Sequence, residues 1–180
     1  MAIVLIDRKT IYQGRAFNVH RDEVRFHNQH TAHLDIIEHI GAVTILPLDA
    51  AGCILFIRQY RHAAGMELLE LPAGTLDSAE LPETCAKREI REETGFATDK
   101  LQKLGEFFLA PGYSTEYMHV YLATELRHDP LAGDADEFIT LQPVPIAQAY
   151  EMALKGEIQD GKSLAALLLA QPHIYKRYAP

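Results

Sequence analysis

The 180-residue chain has only two cysteines, Cys53 and Cys85. Two are too few for a disulfide framework, and each lies among apolar neighbours in the manner of a buried thiol. Long apolar runs are missing as well. The longest, Ala2–Ile6 and Leu164–Ala170, fall far short of the roughly 20 residues that a bilayer span requires, so no membrane partner is expected. No basic segment leads into a long apolar stretch, so no signal peptide is expected and the cytoplasm is the expected location. Basic charge is scarce too: 17 Lys and Arg stand against 25 Asp and Glu, a formal net charge of −8. Without a basic patch to neutralise phosphates, nucleic acid is excluded as a partner. Repeats, low-complexity tracts and linkers are absent. What remains, 48% hydrophobic and 23% charged residues, is ordinary for a soluble globular protein long enough to bury a proper core.

Before His39 the chain alternates in short runs, Phe17-Asn18-Val19 and Val24-Arg25-Phe26, that predict hairpin strands too polar to form a core alone. Ala42–Leu48 reads as a buried strand ending at the Asp49-Ala50-Ala51-Gly52 turn, with Cys53–Tyr60 as its hairpin partner. Glu67–Leu71 is a further strand, broken by Pro72-Ala73-Gly74. Pro82 suits the first turn of a helix, where its missing N–H costs nothing, and Gly95 suits its end. Leu101–Leu109, Tyr117–Leu126 and Phe138–Val144 predict strands. Ile146–Lys155 and Ser163–Ala170 predict amphipathic helices, the second capped by Asp160. One mixed sheet flanked by helices is the economical arrangement.

The densest information lies between Gly74 and Phe96. Glycine is followed by Glu80 six positions on, then by Arg88-Glu89-Ile90-Arg91-Glu92-Glu93-Thr94-Gly95-Phe96. On a helix, Glu89, Glu92 and Glu93 stand at i, i+3 and i+4, which crowds three carboxylates onto one side. Such like charges repel by roughly 0.2–0.5 kcal/mol per pair, a cost that a hard cation converts into a binding site. Taken alone, a glutamate-rich helix is more often a solvated face laced by pairs such as Glu83–Lys87. The glycine and the spacing reverse those odds.

This segment resembles the Nudix box, G-x5-E-x7-R-E-U-x-E-E-x-G-U, at every defined position. Seven fixed identities at one in twenty give a chance match of roughly 10^-9 at any start. The resemblance implies an α/β fold: an α/β/α sandwich with a mixed central sheet, plus an N-terminal antiparallel sheet. It divides the chain into residues 1–40, a strand region exchanged in a dimer, and residues 41–180, the hydrolase domain. It implies Mg2+, with Mn2+ as substitute, bound by Glu89, Glu93, Glu92 and the backbone carbonyl of Ala73. In such a site the metal neutralises phosphates and activates water. Arg88 would orient the carboxylates, Glu80 would stabilise the loop, and Gly74 would permit a backbone conformation that a bulkier residue strains. The general base comes from the acidic stretch Gly133-Asp134-Ala135-Asp136-Glu137, with Glu137 preferred, Asp136 and Asp134 as competitors, and Glu92 as the box alternative.

Further segments resemble the ADP-ribose pyrophosphatase subgroup: Ile57-Arg58-Gln59-Tyr60-Arg61, Glu67–Gly74, Ala110–Glu116 and Gly156–Leu164. That resemblance implies cleavage of ADP-ribose, or a similar nucleoside diphosphate sugar, to AMP and ribose 5-phosphate by a homodimer. Pro111, with Gly112, marks members that cleave ADP-ribose. Arg61 would fork onto a phosphate, with Arg58 on the opposite strand face. Glu70 would reach the terminal ribose or a metal-bound water, and Phe17 or Phe26 would stack on adenine. The rival readings are a GDP-mannose or other nucleotide-sugar pyrophosphatase on the same scaffold, and a non-catalytic ADP-ribose sensor.

Overall fold

The computed structural model describes residues 3–133 and 138–178. They form two compact units, one built from the N-terminal strands with the segment Phe107–Tyr117, the other from the rest of the chain.

In the first unit, β1 (Val4–Gln13), β2 (Asn18–Arg25) and β3 (Thr31–Glu38) form an antiparallel sheet in chain order. Its inner strand, β2, buries His20, Asp22 and Val24 at alternate positions, whereas β1 is exposed along its whole length. Polar pairs replace a hydrophobic core: Arg8 forks onto Asp22 at 2.7 and 2.8 Å, and His20 meets Glu38 at 3.0 Å. The Pro111-Gly112 turn belongs to this unit. Its following residues pair with β3, Ile37 donating its N–H to the Tyr113 carbonyl at 2.7 Å.

The second unit contains β4 (Ala42–Pro47), β5 (Cys53–Arg61), β6 (Met66–Glu70), β7 (Ala73–Thr75), α1 (Pro82–Thr94), β8 (Phe96–Ala97) and β9 (Lys100–Phe108). It continues with β10 (Tyr117–Thr124), β11 (Arg127–His128), β12 (Ile139–Pro145), α2 (Ile146–Leu154) and α3 (Gly161–Tyr178). All six residues of β4 are buried. Because alternate side chains point to opposite faces, both faces of the strand are covered, as the unbroken apolar run requires. Val43 and Ile45 pack with Cys85, Ala86 and Ile90 of α1, and α3 also packs on β4.

The expected single sheet is instead divided. One sheet has the order β7-β4-β10-β9, with β4 parallel to β10 and antiparallel to β7. A second, β12-β5-β6, is antiparallel, and β8 pairs with β11. The predicted β4–β5 hairpin is therefore wrong. The turn is present, with Asp49 N–H bonded to the Cys53 carbonyl at 3.0 Å, but only the bridge Leu48↔Ile54 follows it. Beyond that bridge the two strands serve different sheets, because β4 needs partners on both edges and takes β7 and β10. Nor does Ala73-Gly74 simply break a strand: it forms β7 on the edge of β4. Cys85 is buried as expected, and burial pushes its thiol pKa up, but Cys53 is only half-buried. Helix α3 runs past the predicted end and through Pro172, its later turns anchored by the buried Ile174.

Candidate active site

Two chain reversals bring the box together. Pro72 ends the approach from β6, and β7 then lies along β4, Gly74 pairing with Val43. Pro82 sits in the first turn of α1, and Gly95 closes the helix in the left-handed region at φ 78°, its N–H bonded to the Arg91 carbonyl at 3.1 Å. The helix thereby presents Glu89 and Glu93 to β7.

Both carboxylates are buried, each residue 8% exposed. They belong to the buried face of α1 together with Ala86 and Ile90, not to the solvated face that a glutamate-rich helix more often presents. Glu93 Oε2 accepts the Ala73 N–H at 2.9 Å. Glu89 lies directly against Gly74, where an added Cβ would stand 1.8 Å from its Oε1. This revises the reason for the glycine. Its φ lies outside the left-handed region, so what a side chain would violate is space for Glu89 rather than backbone conformation.

Arg88 organises the remaining charges. Its Nη1 donates to Glu89 Oε1 at 2.6 Å and to Glu92 Oε2 at 2.9 Å, while Nη2 donates to Glu80 Oε2 at 3.0 Å. The Arg88 guanidinium holds the Glu80 carboxyl below its ordinary pKa, and Glu80 Oε2 also accepts the Asp77 N–H at 3.1 Å. Arg88 thus ties the loop, through Glu80, to the glutamates on its own helix.

A second polar group lies on β5 and β6. Arg61 donates from Nε and Nη2 to the two oxygens of Glu70, both at 2.8 Å. Glu70 is 1% exposed. Burial pushes its carboxyl pKa up, but Arg61 and Lys162 outweigh burial and leave it below the ordinary value. The Arg61 guanidinium is held above its ordinary value chiefly by Glu70, and the Glu93 charge adds to the effect. Arg58 points the other way and donates to Gln142 Oε1 on β12 at 2.6 Å. The structure therefore gathers Ala73, Gly74, Glu80, Arg88, Glu89, Glu92 and Glu93 around one loop, and Arg61 with Glu70 within the same unit. Pro111 and Gly112, both exposed, lie in the first unit. Asp134, Asp136 and Glu137 lie outside the described residues. Sequence reasoning passed over Lys162, which bonds Glu70 from α3. The available signal was its place beside the Asp160 cap.

A Nudix-type site on a mixed α/β scaffold is the class that this geometry defines, and comparison with known proteins agrees. Residues 38–167 match the NUDIX domain. The chain belongs to the Nudix hydrolase family. It is 40% identical over 166 residues to an ADP-ribose pyrophosphatase of Mycobacterium tuberculosis, covering 91% of this chain and 80% of that one. It is 38% identical over 146 residues to a GDP-mannose pyrophosphatase of Yersinia pestis, covering 75% and 72%. A solved structure described as an ADP compounds hydrolase shares the fold at a TM-score of 0.88 and 23% identity, covering 100% of this chain and 98% of that one.

Nudix hydrolases generally depend on a divalent cation. The donor chemistry fits one: Glu89, Glu92, Glu93 and the Ala73 carbonyl are all oxygen ligands, the set that a hard cation takes. Among the described residues, no three acidic or imidazole groups stand together as a ready cation site. Glu89 and Glu92 are instead drawn onto Arg88, so a cation would have to compete with that guanidinium.

Proposed function

We propose that this enzyme hydrolyses the diphosphate of ADP-ribose to AMP and ribose 5-phosphate, with Mg2+ as cofactor and Mn2+ as a substitute. The observation that carries the reading is a complete box, packed through the Glu89–Gly74 contact, in the same unit as the Arg61–Glu70 fork, whose guanidinium feels the Glu93 charge. The pyrophosphatase relatives support the substrate class.

Glu89, Glu92, Glu93 and the Ala73 carbonyl would hold the cation, which when bound neutralises phosphate charge and acidifies water. Arg88 holds Glu89 and Glu92 in place and would yield part of that hold as the cation arrives. Arg61 has two of its nitrogens committed to Glu70, which fixes the plane of the guanidinium. Its Nη1 donates to no protein group among the described residues and would take a phosphate oxygen. Glu137 would accept the proton of the attacking water as the water oxygen bonds to phosphorus. The bridging P–O bond then breaks, and the bridging oxygen leaves with the other phosphate. Supporting this choice, the chain on either side of the acidic stretch is anchored in the second unit. Leu131 N–H bonds the Arg91 carbonyl at 3.2 Å, a Cβ on Gly133 would lie 3.6 Å from the Glu92 carbonyl, and Ile139 pairs with Gln59.

We further propose a homodimer located in the cytoplasm. The fully exposed β1, with Val4 and Tyr12 each 55% exposed, supports the dimer by offering an apolar strand edge. The 38% identical relative keeps GDP-mannose as a second candidate substrate. The test is product analysis by chromatography. ADP-ribose with Mg2+ should yield AMP and ribose 5-phosphate, and excess chelator should abolish both. Full activity in chelator, or an unchanged substrate, rejects the reading.

A further inference from the structure

Lys162 opens the first turn of α3, yet its Nζ hydrogen-bonds Glu70 Oε2 on β6 and lies 2.9 Å from Asp160 Oδ2. Its side chain is 11% exposed and that of Glu70 1%. One buried carboxylate is therefore shared by two cations: Lys162, itself largely buried, and Arg61, whose side chain is 38% exposed. The start of α3 is fixed in turn. Asp160 Oδ2 accepts the Ser163 N–H at 3.0 Å and the Ser163 hydroxyl at 2.5 Å, and Ser163 Oγ accepts the Leu71 N–H at 2.7 Å. Leu71 stands three residues before Gly74, so the same helix end that carries Lys162 also ties down the approach to the box loop.

The charges of Arg61, Lys162, Glu70 and Asp160 sum to zero, which is how buried ionic groups are kept without stranding one of them. Remove Lys162 and two carboxylates compete for one guanidinium. Glu70 also loses the bond that stops its carboxylate plane from turning. Arg61 is forked onto both oxygens of that carboxylate, so its own plane follows.

We propose that Lys162 is a positioning residue: through Glu70 it fixes the guanidinium of Arg61, and so sets how tightly the site holds a diphosphate. This rests on the proposed function in one respect, that the box site takes a diphosphate group. Lys162 itself has both of its acidic partners within the protein and touches no substrate.

The test uses inorganic pyrophosphate with Mg2+ as probe, titrated calorimetrically into the full-length protein, so it does not depend on the identity of the nucleotide. Lys162→Met should weaken pyrophosphate binding about tenfold, since misplacing a binding group by an ångström can cost up to about 100-fold. Lys162→Arg should restore affinity to within about threefold, and Lys155→Met, at an exposed surface pair, should leave it unchanged. With ADP-ribose, Lys162→Met should raise KM by about the same factor and lower kcat far less. In an Arg61→Ala background, Lys162→Met should change pyrophosphate affinity less than about twofold, because the group it positions is gone. Should Lys162→Met fail to fold, Asp160→Asn keeps the helix cap and loosens Lys162, and should weaken binding about threefold. Wild-type affinity in the folded Lys162→Met protein overturns the proposal. So does unchanged affinity in Asp160→Asn, a loss that arginine does not restore, an equal loss in both Arg61 backgrounds, or a wild-type protein that does not bind pyrophosphate. If pyrophosphate behaves as expected and ADP-ribose is not cleaved, the substrate reading fails and the role of Lys162 stands.

Discussion

Replacing Gly74 by alanine puts a methyl carbon 1.8 Å from Glu89 Oε1, 2.0 Å from Cδ and 2.6 Å from Oε2. Carbon contacts relax near 3.5–4.0 Å, so something must move. Strand β7 is paired to the fully buried β4, whereas the end of a glutamate side chain is flexible, so Glu89 gives way. Turning it off its rotamer costs about 0.5–1.5 kcal/mol. Weakening its bond to Arg88 costs about 1 kcal/mol more, below the usual value for a charged hydrogen bond because Arg88 keeps Glu80 and Glu92. The total, about 1.5–2.5 kcal/mol, should lower the melting temperature by about 3–10 °C in a domain of this size. Activity should suffer far more, falling at least about 100-fold, because a proposed ligand carboxylate is displaced. Calorimetric melting and kcat/KM, measured on Gly74→Ala, Glu89→Ala and the double variant, separate the effects. With Glu89 already truncated, the added methyl should cost less than about 0.5 kcal/mol, since the clash partner is gone. Additive stability losses, or near-normal turnover in Gly74→Ala, would refute the close-approach explanation.

Glu93→Gln keeps an oxygen that can accept the Ala73 N–H, so stability in the absence of metal should stay within about 1 kcal/mol of wild type while turnover falls by orders of magnitude. Wild-type turnover would remove Glu93 from the site. Glu70 has a folded-state pKa below its ordinary value, so its ionised form stabilises the fold above about pH 4.3 and that stability is lost as pH falls through the lower folded value. The stability gap between wild type and Glu70→Gln, read from urea midpoints, should therefore be constant near neutrality and narrow on acidification; a gap that widens in acid contradicts the assignment. Glu137→Gln should lower kcat by about 10^2–10^4-fold with little change in KM, the usual worth of one positioned proton acceptor. A loss below tenfold transfers the role to Asp136, Asp134 or Glu92.

Local elements were legible where one residue settles the matter. Pro82 and Gly95 bound α1 as read, and Asp160 caps α3. The resemblance of the box implied that Arg88 orients the carboxylates, and Arg88 does bond Glu89 and Glu92 on its own helix. Sheet membership was not legible, because a buried apolar run such as Ala42–Pro47 states only that both faces are covered, not which strands flank it. The turn at Asp49–Gly52 suggested a hairpin, yet long-range pairing with β10 and β7 prevails. The burial of Glu89 and Glu93 was hidden for a related reason: charge argues for exposure unless the loop that packs over it is known. Lys162 was passed over because its partner Glu70 is 92 residues away, which left its place beside the Asp160 cap as the local signal.

The most direct test of the account is a side-by-side measurement of kcat/KM for ADP-ribose and GDP-mannose with Mg2+. The diphosphate site is common to both substrates, so any preference must come from the groups on either side of it. ADP-ribose should be favoured by at least roughly tenfold, about 1.4 kcal/mol of transition-state binding. Equal or reversed preference would contradict the substrate assignment and place the enzyme among the nucleotide-sugar pyrophosphatases, with the box and its charge network unchanged.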